Sequence, residues 1–163
     1  MDINNREHLF DLLRKYQITD LYCLAALLSA TGERYPLYTE HINMISLFNS
    51  LEASRYGLVK KIFWPSSIAA FGNSPKTSPQ HTVQEPSTVY GITKKNGEMW
   101  CNYYYHRYGV DVRSIRYPGL IGWRAPPGGG TTDYAVDIFH KAVMGEDFSC
   151  YLESDTPISM VYM

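Results

Sequence analysis

Tyr90 and Lys94 stand four residues apart in the run Tyr-Gly-Ile-Thr-Lys, a spacing that places both side chains on one helix face, one turn apart. A phenol is a poor base near neutral pH because its pKa is about 10. A neighbouring ammonium favours the phenolate and lowers that value, so Tyr90 is a candidate general acid/base with Lys94 as its electrostatic partner. Lys94 can also donate to the sugar hydroxyls of a nucleotide. With 14 tyrosines in the chain, a Tyr-x-x-x-Lys also arises by chance. A second copy stands at Tyr56 and Lys60, with Gly57 inside it and a helix-to-strand junction across it. On spacing alone, ordinary surface helix residues stay open as the explanation of Tyr90 and Lys94.

Two further groups bear chemistry. Ser66 and Ser67 follow Pro65 at the end of an apolar run, where the carboxyl edge of an open α/β sheet binds its ligands. A hydroxyl there can hold a substrate oxygen beside Tyr90, and it can equally serve local turn chemistry. Gly128-Gly129-Gly130-Thr131-Thr132-Asp133 precedes a helical pattern. Backbone amides at a helix start favour an anion such as a substrate carboxylate, with Thr131 and Thr132 adding hydroxyls; plain capping explains the run as well.

These residues need elements to position them. Residues 5–16 carry Leu9, Leu12, Leu13 and Tyr16 on one helical stripe behind Asn4 or Asn5 as a cap. Residues 18–26 are an apolar run without helical period, which predicts a buried strand. Residues 36–56 predict a helix closed by Gly57, 58–64 a strand stopped by Pro65, and 73–87 a surface loop. A long helix is expected from Ser87 or Thr88 to Arg107, ending at Gly109, then a strand over 110–117. A helix over 132–144 and a final strand over 147–152 complete the pattern, and Met160, Tyr162 and Met163 simply end the chain. Strands separated by helices of more than ten residues require crossovers, hence an α/β protein with a parallel sheet.

Composition narrows the function classes. Length 163 and 45% apolar residues fit one folded domain. A net charge of -1 gives no electrostatic case for nucleic acid or an anionic membrane. Tyr103, Tyr104 and Tyr105 lack the basic surface that base stacking would need, so helix packing or a subunit interface is expected of them. The three cysteines, Cys23, Cys101 and Cys150, form no CxxC pair and read as small buried apolar residues in a reducing compartment. The five histidines show no metal-ligand spacing, so no metal is expected. The start is polar and unlike a signal peptide, and the apolar run 21–28 is far short of a membrane span.

Taken in order, Leu24-Ala25-Ala26 after a strand, Asn43 in a helix, Ser66-Ser67, Tyr90 with Lys94, and Arg116-Tyr117-Pro118-Gly119 resemble an extended short-chain dehydrogenase. The wording is most similar to the short-chain L-threonine 3-dehydrogenase family, through LAALLSATGE (24–33), PSSIAAFG (65–72), EPSTVYGITK (85–94), YGVDVRSIRYPGLI (108–121) and PPGGGTTDYAVDIFHKA (126–142). Sugar-nucleotide epimerases of the same superfamily do not carry GGGTTDYAV at this point.

The resemblance implies an incomplete Rossmann-type doubly wound parallel sheet over 1–163, with the substrate-binding region starting at about 123. It implies NAD-dependent oxidation of L-threonine to 2-amino-3-oxobutyrate, with Tyr90, Lys94 and Ser67 catalytic. Ser29, Thr131 and Thr132, together with Ser67 and Tyr90, would hold the substrate. Asp2 and Ile3 match an adenine-contacting pair, and Leu24, Ala25, Ala26, Asn43, Tyr117, Pro118, Gly119 and Leu120 would line the cofactor cleft with Tyr90 and Lys94. A homodimer through helices 36–56 and 88–107 and a cytoplasmic location, or the mitochondrial matrix in a eukaryote, are further expectations. The GxGxxG unit that normally opens this fold at the pyrophosphate is absent from the 163 residues, as is the family's smaller C-terminal domain. A non-catalytic remnant serving as a binding or dimerisation module, or an epimerase/dehydratase, is therefore the alternative.

Overall fold

The computed structural model describes residues 2–72, 78–124, 130 and 132–163. Helix α1 (Arg6–Lys15) begins where the Asn5 side chain accepts from the His8 amide at 3.0 Å. It buries Leu9 and Leu13 of the expected stripe together with Phe10, while Leu12 is half-buried and Tyr16 exposed. Strand β1 (Asp20–Tyr22) then joins β2 (Lys61–Phe63) and β4 (Asp111–Arg113) in a parallel sheet of order β1-β2-β4. The register sets Leu21 beside Ile62 and Ile62 beside Val112. Ile62, on the central strand, is 1% exposed, which is worth about 1.5–3 kcal/mol relative to leaving it in water.

The apolar run at 18–26 departs from its predicted form. Only three of its residues pair, and β1 lies at an edge of this sheet with Asp20 and Tyr22 exposed. Apolar content alone does not distinguish an edge strand from a central one.

Between β1 and β2 run α2 (Ser29–Arg34), which no periodicity announces, and α3 (Pro36–Arg55). Pro36 starts α3 and Gly57, at φ +74°, lies just beyond its end. One stripe of α3 buries Met44, Leu47, Leu51 and Ala53; another buries the polar Thr39, Asn43, Ser46, Asn49 and Ser50. Three of these, Asn43, Ser46 and Asn49, serve backbone outside the helix. Asn43 Oδ1 accepts from Leu27 N at 2.8 Å, Ser46 Oγ donates to Ala25 O at 3.3 Å, and Asn49 Nδ2 donates to Ile3 O at 2.8 Å.

After β2, β3 (Ser66–Ser67) leads into a 3-10 turn (Ile68–Phe71), and α4 (Val89–Tyr108) packs against both that turn and α3. Thr88 caps α4 by accepting from Gly91 N at 3.1 Å, and Gly109 closes it in the left-handed region. The strand expected over 110–117 is broken into β4 and β5 (Arg116–Tyr117), the latter pairing with β3. Strand β6 (Gly119–Ile121) pairs in parallel with β7 (Met160–Tyr162), so the residues expected merely to finish the chain form a strand. The strand expected over 147–152 does not form; those residues lie in irregular backbone and a bend. Helix α5 (Tyr134–Met144) buries none of its residues. Cys23 and Cys101 are buried as expected, whereas Cys150 is exposed. Among the described residues no helix is long and apolar enough to cross a membrane.

Candidate active site

A cavity of about 1010 Å³ opens where β1, β2, β3 and β5 release their carboxyl ends and β6 begins, the edge at which open parallel sheets bind ligands. Ser67, Tyr90 and Lys94 all face it. Ser67 comes from the end of β3, Tyr90 from the first turn of α4, and Lys94 from the next turn of the same helix.

The placement of Tyr90 depends on two close approaches. Gly91 sits where a Cβ would fall 2.4 Å from Ala69 O, so the absence of a side chain lets the 3-10 turn press onto α4. Helix α2 reaches the same turn from the other side, with Glu33 Oε1 accepting from Val89 N at 2.8 Å. Thr93 and Asn43 add a buried polar link, Thr93 Oγ1 donating to Tyr90 O at 2.8 Å and Asn43 Nδ2 donating to Thr93 Oγ1 at 3.3 Å. Gly91→Ala is accordingly expected to destabilise the fold by about 1–3 kcal/mol through overpacking and to displace Ser67 from Tyr90. Urea unfolding measures the first effect, and a variant as stable as the parent would disprove the contact's importance.

The Ser67 hydroxyl stands close enough to Tyr90 to favour its phenolate. Burial raises the Tyr90 pKa above its ordinary value and outweighs the lowering by Ser67. The depression expected from Lys94 does not appear: desolvation of the phenolate sets the shift, and the influence opposing it comes from Ser67. Lys94 is 3% exposed, and burial pushes its ammonium down to about 8. Its Nζ donates to Pro65 O at 2.6 Å, lies 4.6 Å from the Trp64 ring centroid and 5.3 Å from that of Tyr90. An ammonium has three donors, so this carbonyl leaves others for a ligand.

Of the other expected residues, Leu24, Ala26, Ser29, Tyr117, Pro118, Gly119, Leu120 and Thr132 line the cavity, with Gly119 packed on Thr132. Gly119 makes this wall tight, since a Cβ there would meet Thr132 Cγ2 at 2.5 Å. Ala25 and Asn43 are not among the lining residues; Asn43 instead fixes the backbone of Leu27 through both atoms of its amide. Asp2 and Ile3 also lie off the cavity, at the start of α1, with Asp2 Oδ1 accepting from Asn4 N at 2.9 Å. Thr131, Gly128 and Gly129 lie outside the described residues. The Gly130 amide, expected to be available to an anion, already donates to Asp133 Oδ2 at 2.7 Å. A carboxylate at that point replaces the anion that the glycine run suggested.

One group escaped the sequence reading. Glu98 receives both Arg116 Nε at 2.7 Å and Arg116 Nη2 at 2.6 Å, together with Ser66 Oγ at 2.5 Å and Gln84 Nε2 at 3.2 Å. Burial raises its pKa, but the bonds from Arg116, Ser66 and Gln84 outweigh that and hold the carboxyl below the usual carboxylate range. The signal was present: 90, 94 and 98 recur at the spacing of one helix face. An acid with a depressed folded pKa stabilises the fold above its unfolded value, about 4.3, and that stability is lost as pH falls through the lower folded value. Arg116→Met should therefore cost about 2 kcal/mol near neutral pH, below the 3–5 of a fully buried pair because both side chains are 18% exposed. The deficit should shrink in acid. A constant deficit across that range in chemical unfolding would contradict this.

The model of the NAD dependent epimerase/dehydratase family matches residues 1–154. An uncharacterized epimerase/dehydratase of Staphylococcus aureus (strain USA300) is 48% identical over 166 residues, covering 100% of this chain and 51% of the relative. The holo form of the GalE-like L-threonine dehydrogenase from Cupriavidus necator superposes with a TM-score of 0.95 at 53% identity, over 99% of this chain and 53% of that one. L-threonine dehydrogenase from Clostridium difficile gives 0.94 at 46% identity, over 99% and 51%. The chain spans about half the length of the relatives it matches.

Proposed function

Because the chain belongs to the NAD-dependent epimerase/dehydratase family, whose cofactor is NAD, we propose that it carries the catalytic centre of an oxidoreductase acting on the side-chain hydroxyl of L-threonine. The observation that carries the reading is that Ser67, Tyr90 and Lys94 face one cavity, with the Ser67 hydroxyl placed to favour the Tyr90 phenolate. The solved L-threonine dehydrogenases at 46–53% identity support the choice of substrate.

Ser67 orients the substrate hydroxyl, and Tyr90 accepts its proton as the carbinol carbon becomes a carbonyl. NAD, when bound, supplies the hydride acceptor. Lys94 has ammonium donors left for the hydroxyls of a nicotinamide ribose, and Tyr117 to Leu120 with Leu24 and Ala26 provide an apolar wall fitting a flat ring. The fit is therefore good at the nicotinamide end. Burial keeps the Tyr90 phenol protonated around neutrality, so the forward reaction should accelerate as pH rises and phenolate accumulates. Ser29 and Thr132, both of which line the cavity, are assigned to the amino-acid end of the substrate.

The test is L-threonine-dependent formation of NADH by the chain, followed by absorbance. The pyrophosphate end makes a separate expectation. No GxGxxG occurs in the 163 residues, so joining the chain to the strand–GxGxxG–helix unit of a relative should tighten NAD binding at least tenfold, about 1.4 kcal/mol. Calorimetric titration measures it. Equal affinity with and without that unit would sink this account of the cofactor site.

A further inference from the structure

Lys94 is a cation buried among aromatic rings, and the residue beneath it has no part in the chemistry above. Trp64 ends β2's run, 4% exposed, with its backbone amide donating to Arg113 O at 2.9 Å. Its indole cannot slide toward α4: a Cβ at Gly97 would fall 2.3 Å from Trp64 Cη2 and 2.4 Å from Cζ2. Gly97 is thus the socket for the ring, one turn beyond Lys94 on the same helix. The Lys94 ammonium lies 4.6 Å from the ring centroid while donating to the next residue's carbonyl, Pro65 O, at 2.6 Å. Indole faces attract cations most strongly of the aromatic side chains. Other ammonium positions along the flexible four-carbon stem of a lysine lack that pairing of ring and carbonyl.

We propose that Trp64 is the positioning residue of Lys94: the indole, wedged against Gly97, and the Pro65 carbonyl together seat the ammonium that faces the cavity. The proposal rests on Lys94 being the group that meets the cofactor ribose, and Trp64 acts only through it.

The experiment reads the seat directly, without turnover. The chain labelled with ¹³C,¹⁵N-lysine is examined by NMR in mildly acidic buffer, and the Lys94 signal is assigned by its loss in Lys94→Arg. An amine over an indole face takes ring-current shielding, so the Lys94 ε-methylene should lie upfield of every other lysine. Its ammonium protons, hydrogen-bonded and buried, should exchange slowly enough to be seen. Trp64→Phe, which keeps a ring, should retain a smaller upfield shift and the ammonium signal. Trp64→Leu, equally apolar but without a ring, should lose both. A Lys94 resonance at the position of solvated lysines in the parent chain overturns the proposal, even if Trp64→Leu fails to fold. So does an unchanged resonance in a folded Trp64→Leu. Failure of L-threonine oxidation leaves this readout untouched, so the two readings stand or fall separately.

Discussion

Replacing Tyr90 by phenylalanine is expected to remove at least about 10²-fold of the rate of L-threonine oxidation, the lower end of what a positioned acid/base group contributes, while leaving NAD binding nearly unchanged. The substitution deletes one oxygen atom. The ring that partly covers the Lys94 ammonium remains, at 5.3 Å, and so does the helix start set by Thr88 and Glu33. What is lost is the proton acceptor and the influence of the Ser67 hydroxyl on it. Steady-state rates, with NAD affinity measured independently, separate the two quantities. A Tyr90→Phe variant that turns over normally would remove Tyr90 from the mechanism. A variant that fails to bind NAD would show that the phenol holds the cofactor instead.

Lys94→Met should move stability and activity in opposite directions. Burial pushes the Lys94 ammonium from 10.5 down to about 8. Between those values the unfolded chain holds a proton that the folded chain has released, so stability rises with pH across that window, and below about 8 the folded state carries the full burden of a buried charge. At about 1.36 kcal/mol per unit, that burden is roughly 3 kcal/mol. Methionine fills similar space without charge, and the lost charged hydrogen bond to Pro65 O offsets about 1.5 kcal/mol. A net gain of about 1–2 kcal/mol near neutral pH is expected in urea unfolding. It should fade as pH rises through the 8–10.5 window, and oxidation of L-threonine should be lost. A folded variant less stable than the parent would mean that the rings and carbonyl around Lys94 more than compensate its burial. Such a trade of stability for chemistry is common at catalytic sites.

Local signals carried most of the fold. Asn5, Gly57, Thr88 and Gly109 mark helix ends where capping chemistry puts them, and the α/β order follows from helical stretches too long for hairpins. Pairing was much less legible. Nothing in residues 147–152 or 160–162 distinguishes strand from loop, because a three-residue strand is decided by its partner, here Gly119–Ile121. The site shows the same division. Spacing singled out Tyr90 with Lys94 and the pair Ser66-Ser67 as candidates, and the family resemblance chose Ser67 and supplied most of the cavity wall. Asn43 took a different role because the backbone at Leu27 lacks partners, a requirement visible only in three dimensions. The environment that sets charge states, Trp64 beside Lys94 and Arg116 on Glu98, depends on contacts across strands and helix that no local pattern encodes.

Residues 64–71 meet α4 repeatedly along a single face: Ala69 on Gly91, Pro65 on Lys94, Trp64 on Gly97 and Ser66 on Glu98. Two of these four meetings admit no side chain at all on the helix, and the other two join specific donors to specific acceptors. Anyone exchanging substrate preference between relatives by recombination would do well to place no crossover between residues 64 and 98. A chimera that splits the two stretches inherits mismatched halves of one interlock, whereas moving them as a single cassette carries the catalytic geometry intact.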